Sequence, residues 1–407
     1  MPPNAVTVTA YFETISISGA IEISTPDGLD NVRYNLAGDY VLTADISLSE
    51  YSNWVPIGTQ DDPFTGKING NGKVIFDLKT NGTTELLTGL FGYVFGGEII
   101  DFTLEEVDVN GGTFTGAIAG AIDDSTITGC SISGKITSLS SSGGVAGSVN
   151  YSVITNCHST CEISSAIDAG GIAGQIYNST VTNSSSTGVI KSYSDSGESG
   201  ASGGISGYVE NSMIAGCFSS GNIVSESHIS VSGGIAGGVT YYSEIIDSYS
   251  TGDIEAYTDS TGPGSASGGI AGYVWNGSIT NSYSTGNINS SYFSGGIAGS
   301  VEGEDEITNC AAINETISAD HDAGRIIGSI SFPGSSTISN NIALTSMVAT
   351  GTVDFDVTDV LRHGITKSDS DLKSQSTYSD ELGWGFNGDD TEPWWMSADG
   401  YPILYWQ

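Results

Sequence analysis

Residues 267–288 read SGGIAGYVWNGSITNSYSTGNI. Gly, Ser, Thr and Asn take most of the places, a composition that suits a flexible linker. Yet Ile270, Val274, Ile279 and Ile288 return on schedule within it. A segment of the form G-G-I-A-G, or a close relative, ends at Gly92, Gly120, Gly147, Gly174, Gly207, Gly237, Gly272, Gly299 and, in a degenerate copy, Gly328. Successive spacings are 28, 27, 27, 33, 30, 35, 27 and 29 residues, so recurrence rather than low complexity organises the chain.

Four apolar columns run through the copies. Two residues before the anchor glycine stand Leu90, Ile118, Val145, Ile172, Ile205, Ile235, Ile270, Ile297 and Ile326. Two after it stand Val94, Ile122, Val149, Ile176, Val209, Val239, Val274, Val301 and Ile330. Alternation across the glycine marks a strand with one buried face. A third column holds Ile127, Ile154, Val181, Ile214, Ile245, Ile279 and Ile307, and a fourth holds Ile136, Ile163, Ile190, Ile223, Ile254, Ile288 and Ile317. Third and fourth are nine residues apart in most copies. Nine is odd, so a period-two strand cannot turn both inward without a corner. The Thr-Asn pairs 155–156, 182–183, 280–281 and 308–309 are the expected corners, because Asn tolerates the left-handed conformation.

One repeat cannot bury its apolar row alone. Stacking successive copies turns each column into a ladder, and parallel pairing satisfies the backbone. The expected fold is all-β: a right-handed parallel β-helix, or β-solenoid, of about 27–35 residues per coil, capped at both ends. Residues 1–88 read as an N-terminal cap and first coils, 89–345 as the repeat solenoid, and 346–407 as an aromatic-rich C-terminal cap. Ile235→Asp should therefore melt the fold, whereas a charge at Ser260 should not. The long copies carry inserts at 191–202 and 256–267, which map to one edge of the solenoid.

The 407 residues carry 47 acidic and 10 basic side chains, for a net charge of −37. Such a field repels nucleic acid and anionic membranes. The 19 Tyr, 12 Phe and 6 Trp are too many for a disordered, solvating chain. No run of 18 apolar residues exists, so no direct membrane insertion is expected in this segment. The start MPPNAVTVTA lacks the basic and apolar regions of a signal peptide, so any secretion signal or anchor is expected outside this stretch.

G-G-I-A-G-x-V followed by I-T-N-[CS]-x-S-T-G-x-I resembles the GLUG repeat of bacterial and archaeal surface proteins. That repeat also occurs upstream of the protease domain in IgA1-specific metallopeptidases. The leader YNLAGDYVLTADISLS…WVPIGT…PFTGKINGNGKVIFDLK and the ending LGWGFNGDD…PWWMSADGYPILYWQ are similar to the flanks of such repeats. The resemblance implies a secreted or surface-displayed β-helical module and transfers no catalytic residues. Metallopeptidase chemistry would need H-E-x-x-H, and none of His158, His228, His321 or His363 is followed by Glu.

Cys130, Cys157, Cys217 and Cys310 share one column, three residues after the third apolar row, where other coils have Ser184, Ser248 and Ser282. Neighbouring Cys130 and Cys157 fall within disulfide reach, but exchange with Ser favours small buried thiols. Cys161 stands where Gly134, Gly188, Gly221, Gly252 and Gly286 mark a turn. Acidic pairs at Asp61-Asp62, Asp123-Asp124 and Asp389-Asp390 read as solvated turns rather than catalytic dyads. Calcium at one of these turns stays open, without an EF-hand-like loop to fix it; no other cofactor is expected. Tyr93, Tyr208 and Tyr273 should face outward, with Trp275, Tyr177, Tyr241 and Tyr242 following in the adjoining turn; outward aromatic rings can stack on sugars or serve as strand formers. Sequons occur at Asn81, Asn150, Asn178, Asn183, Asn276, Asn289 and Asn314. Trp384, Phe386, Trp394, Trp395, Tyr401, Tyr405 and Trp406 should plug the open end of the solenoid, with a short helix expected over residues 366–380.

The functional expectation is a non-enzymatic scaffold or adhesin on the cell surface of a bacterium or archaeon. Its expected partners are cell-surface glycans or proteins, or copies of itself. A polysaccharide-binding or polysaccharide-cleaving β-helix protein and a self-associating sheath subunit are the alternatives.

Overall fold

The computed structural model describes residues 19–82, 86–194, 199–258, 264–331, 334–351, 359–389 and 391–407. Ser260, Asp390, and residues 195–198 and 259–263 of the two inserts lie outside the described residues.

Each coil is a set of short strands joined by bends, and every strand pairs parallel with its counterpart one coil away. The coil quoted above runs Ala271–Trp275, Ser278–Thr280, Tyr283–Ser284, Ile288–Ser290 and Phe293–Gly295. Stacked copies of these strands make five ladders, called first to fifth in that order. The first ladder has nine strands, from Phe91–Phe95 to Ile327–Ser331, one per anchor glycine. The second has twelve, because three coils without the glycine motif precede it at Ile21–Ile23, Asp39–Leu42 and Lys67–Asn69. The third and fourth ladders fuse in early coils, where Thr103–Gly111 and Ser131–Ser138 run through both. The chain is thus an all-β parallel solenoid.

The apolar columns are its core. Ile118, Val145, Ile172, Ile205, Ile235, Ile270 and Ile297 are all fully buried, as are the third and fourth columns. Backbone bonds of 2.8–2.9 Å link Ile172, Ile205, Ile235, Ile270 and Ile297 in series. Burying one such isoleucine contributes about 1.5–3 kcal/mol. Corners sit where the sequence placed them: Asn156, Asn183, Asn281 and Asn309 have φ of 54°, 49°, 50° and 56°. A second left-handed corner, after the first ladder, escaped the sequence reading; it holds Asp124, Tyr151, Asn178, Asn211, Tyr241 and Asn276. The turn glycines at 188, 221, 252 and 286 are required by proximity, since a Cβ there would stand 1.8–2.0 Å from the carbonyl oxygen of the coil below.

Two polar ladders run inside this core. Ser125, Ser152, Ser179 and Ser212 each donate an Oγ–H to the carbonyl two residues earlier. The amide of each, at 2.9–3.2 Å, donates to the hydroxyl one coil on, ending at Ser243. The cysteine column is the second: the amides of Cys157, Cys217 and Cys310 donate to Ser184, Ser248 and Asn341. All five cysteines are buried free thiols. Burial pushes the Cys217 and Cys310 thiols up to about 12, so they are inert.

The ends are closed by different means. At the start, Thr25 caps the helix Pro26–Asp30, which sets Leu29 over the first coil. At the far end the helix Val360–His363 lies across the last coil: Ile326 N–H donates to Arg362 O, and Arg362 pairs with Asp322 at 2.6 Å. A short helix, Asp369–Leu372, falls within the expected 366–380. The C-terminal aromatics do not plug the end. They run back along the flank of the third ladder, where the column following the cysteines sets Phe218, Tyr249 and Tyr283 in a stack with 5.3 and 4.8 Å between ring centres. Trp394 seats on Tyr249 and Tyr283, and Trp406 on Phe218 and His158. The reason is steric and polar: indole N–H groups find acceptors along the flank, Trp384 on Asn309 O, Trp394 on Asp247 and Trp406 on Gly216 O.

Candidate functional site

Alternation in the first ladder turns residues on either side of the apolar column outward. One outward column reads Tyr93, Ala121, Ser148, Gln175, Tyr208, Gly238, Tyr273, Ser300 and Ser329 in register. The next outward column reads Phe95, Asp123, Asn150, Tyr177, Glu210, Thr240, Trp275, Glu302 and Ser331. The fifth ladder meets this face at an angle and offers Leu87, Phe114, Ser141, Asp168, Ala201, Val231, Ala266, Phe293 and Asp322. Between the two faces lies a groove along the solenoid axis. It deepens twice, into a hollow of about 900 Å³ around Leu86, Tyr93, Phe114 and Asp123, and one of about 580 Å³ around Asp168, Tyr208, Tyr273 and Trp275.

Tyrosine–carboxylate couples line it. Tyr93 Oη donates to Asp123 at 3.2 Å, Tyr208 Oη to Glu210 at 3.1 Å and Tyr273 Oη to Glu302 at 2.9 Å. Burial first, and then the neighbouring carboxylate, hold the Tyr93 and Tyr273 phenols above their ordinary range. Tyr208 lies against the wall because Gly238 stands beside it; a Cβ there would be 3.3 Å from Tyr208 Cδ2. Thr240 Oγ1 donates to the Tyr208 hydroxyl at 3.0 Å and pins the ring. The glycine is a notch that lets an aromatic face lie flat.

Asp168 is buried in the opposite wall. It accepts from Gln175 Nε2 at 2.5 Å and Ser141 Oγ at 3.3 Å, and burial pushes its carboxyl up to about 6 against those two bonds. The charged side chains among the described residues lining the two hollows are Asp61, Asp123, Asp168 and Glu302; none is Lys or Arg. Among the described residues no group of three or more His, Cys, Asp or Glu is placed to hold a metal ion, and no helix is long and apolar enough to cross a membrane.

Of the aromatics singled out from the sequence, Tyr208, Tyr273 and Trp275 come together on this wall, and Tyr177 joins them through its ring contact with Tyr208. Tyr241 sits outside, edge-on behind Trp275 at 4.5 Å, and Tyr242 projects from the turn, 79% exposed. Trp275 and Tyr177 end strands rather than occupy turns. Asp61 and Asp62 are exposed, while Asp389 folds into a local turn by accepting from Thr391 and Glu392. Among the sequons, Asn314 is buried and bonded to Ser284 and Gly286 O, which removes it as an acceptor. Asp168, Glu210 and Glu302 were missed. The available signal was the column one residue after the second apolar row, which holds Asp123, Glu210 and Glu302.

Comparison with known proteins bears on the repeat. The GLUG motif matches residues 230–255 and 263–289. A solved structure named an immunoglobulin A1 protease from Bacteroides ovatus is similar at 20% identity and a TM-score of 0.40, with 96% of this chain and 94% of that one covered. A second, named IgA1 protease, is similar at 16% identity and a TM-score of 0.40; 83% of this chain is covered but only 24% of that one. No curated protein sequence matches the chain. The two matched segments are the copies anchored at Gly237 and Gly272, and the same columns continue through the coils on both sides. The chain is a β-solenoid that carries GLUG repeats.

Proposed function

We propose that this chain is a non-enzymatic, extracellular binding module, a rigid scaffold or adhesin of a microbial cell surface, that holds an extended glycan along its groove. The observation that carries the reading is the wall formed by Tyr208, Tyr273 and Trp275 with Glu302 and Asp168 within one hollow. Pyranose rings have apolar C–H faces and a rim of hydroxyls. Aromatic faces receive the first, and carboxylates with spare lone pairs accept from the second. The walls are strands of a continuous ladder, so the ring positions are fixed before binding and little ordering entropy is lost. The net charge of −37 disfavours polyuronates and other polyanions.

The test is retention of the purified chain on a panel of insoluble and soluble polysaccharides, with and without calcium, scored also for new reducing ends or unsaturated uronates. Retention without products, lost in Trp275→Ala, supports the reading. Products from any polymer would replace it with an enzymatic one, in which Asp168 becomes the first residue to change.

A further inference from the structure

We propose that the glycan this groove takes carries free amino groups, a polymer of hexosamine rather than of N-acetylated or neutral sugar. The inference rests on the glycan reading above and deepens it. Its basis is the charge of the groove set against its shape.

Asp123, Glu210 and Glu302 stand three coils apart in a single outward column; Asp123 lines the first hollow, and Glu302 lines the second together with Asp168 from the fifth ladder. Each is anchored by a hydroxyl or amide donor, through Tyr93, Tyr208, Tyr273 or Gln175. Those donors orient the carboxylates without neutralising them. No described Lys or Arg lines either hollow, although the chain has 10 such residues to place. A neutral sugar would satisfy the aromatic faces but leave these carboxylates without a counter-charge in a partly dehydrated channel, which is costly. An ammonium on the sugar supplies the counter-charge. It donates charge-assisted hydrogen bonds to the carboxylates, and it can also sit over the Tyr208 or Tyr273 ring, whose face attracts cations. The ring carbons of the same residue still meet the aromatic wall. A cationic peptide would share the charge but not the flat apolar face that rings laid against Gly238 fit.

The experiment is calorimetric titration of the whole chain with a glucosamine hexamer, its fully N-acetylated counterpart and hexalysine, at low and raised salt. The inference expects the aminated hexamer to bind at least about tenfold more tightly than the acetylated one. Glu302→Gln, which keeps shape and removes charge, should abolish that preference while leaving residual binding of the acetylated hexamer. Tyr273→Ala should weaken both sugars. Tyr242→Ser, outside the groove, should change neither, and thermal melting confirms that each variant is folded. Equal affinity for the two hexamers overturns the amine inference and leaves the glycan reading standing. Binding of neither overturns both. Hexalysine binding as tight as the aminated hexamer, insensitive to Glu302→Gln and Tyr273→Ala, would reduce the effect to the general field of the protein and also overturn the inference.

Discussion

Two flanks of this solenoid carry aromatic rows, and they are treated differently. On the third ladder, Phe218, Tyr249 and Tyr283 stack coil on coil and are covered by Trp394 and Trp406 from the chain's own C-terminal segment. On the first ladder, Tyr93, Tyr208, Tyr273 and Trp275 line an open groove, and the three tyrosine hydroxyls each donate to a carboxylate, with Thr240 also donating to that of Tyr208. Burial of Tyr283 is complete enough to push its phenol far above the ordinary range. The same physics, aromatic area seeking cover, is satisfied internally on one flank and left available to a ligand on the other. The covered row belongs to stability, and the open row is the one to which the proposed function assigns recognition.

The first way to break the comparison is to remove the core both flanks share. Ile235 is fully buried, and Ile235→Asp would place an unpaired charge there. Loss of the cooperative melting transition is expected by circular dichroism. Below that in size, Trp394→Ala should cost about 3–5 kcal/mol, because the indole is fully buried and donates to Asp247. Calorimetry should show the matching fall in Tm. Trp275→Ala, on the half-buried groove wall, should cost about 1 kcal/mol or less yet abolish glycan retention. Equal thermal costs for the two tryptophans would erase the distinction between the flanks.

A smaller effect tests the polar ladder behind the groove. Asp305 takes the place of the ladder serine, accepts from Gly277 N–H at 2.9 Å, and has a buried second oxygen without a partner. Burial, with Glu302 nearby, pushes its carboxyl up to about 6, against bonds from the Gly277 and Asn276 backbone. A folded-state value above the unfolded one means the folded protein holds this proton more tightly. Its stabilising contribution is therefore full below the unfolded value, near 4, and is lost as pH rises through about 6. Asp305→Ser should raise stability by about 1–2 kcal/mol near neutral pH and by much less in acid, read from melts across that window. The smallest effect is expected at Tyr242, 79% exposed, where Tyr242→Ser should stay within about 0.5 kcal/mol.

How much of this was legible follows from where each signal lies. The ladders and the Asn corners are encoded in spacing, because a coil repeats its own geometry and the columns are one repeat apart. Tyr208 and Tyr273 were legible as outward-facing by alternation. The groove was not, since its concavity depends on the angle at which the fifth ladder meets the first, which no column records. Tyr273 and Glu302 are 29 residues apart, and Asp168 comes from a different ladder, so their meeting appears only once coils are stacked. The tail was recognised as a covering segment but assigned to the wrong surface. The row Phe218, Tyr249, Tyr283 beside the cysteine column was the clue to its seat. Periodicity describes the coils; it says nothing about where a non-repeating segment docks.

The measurement that bears most directly on the central claim is glycan retention by three proteins in parallel: the native chain, a Tyr273→Ala/Trp275→Ala double variant, and Trp406→Ala on the covered flank. The account predicts that native and Trp406→Ala proteins are retained without releasing reducing ends, and that the double variant passes through although it melts cooperatively. Retention of the double variant alongside the native chain, or loss confined to Trp406→Ala, would place recognition outside the groove and contradict the account.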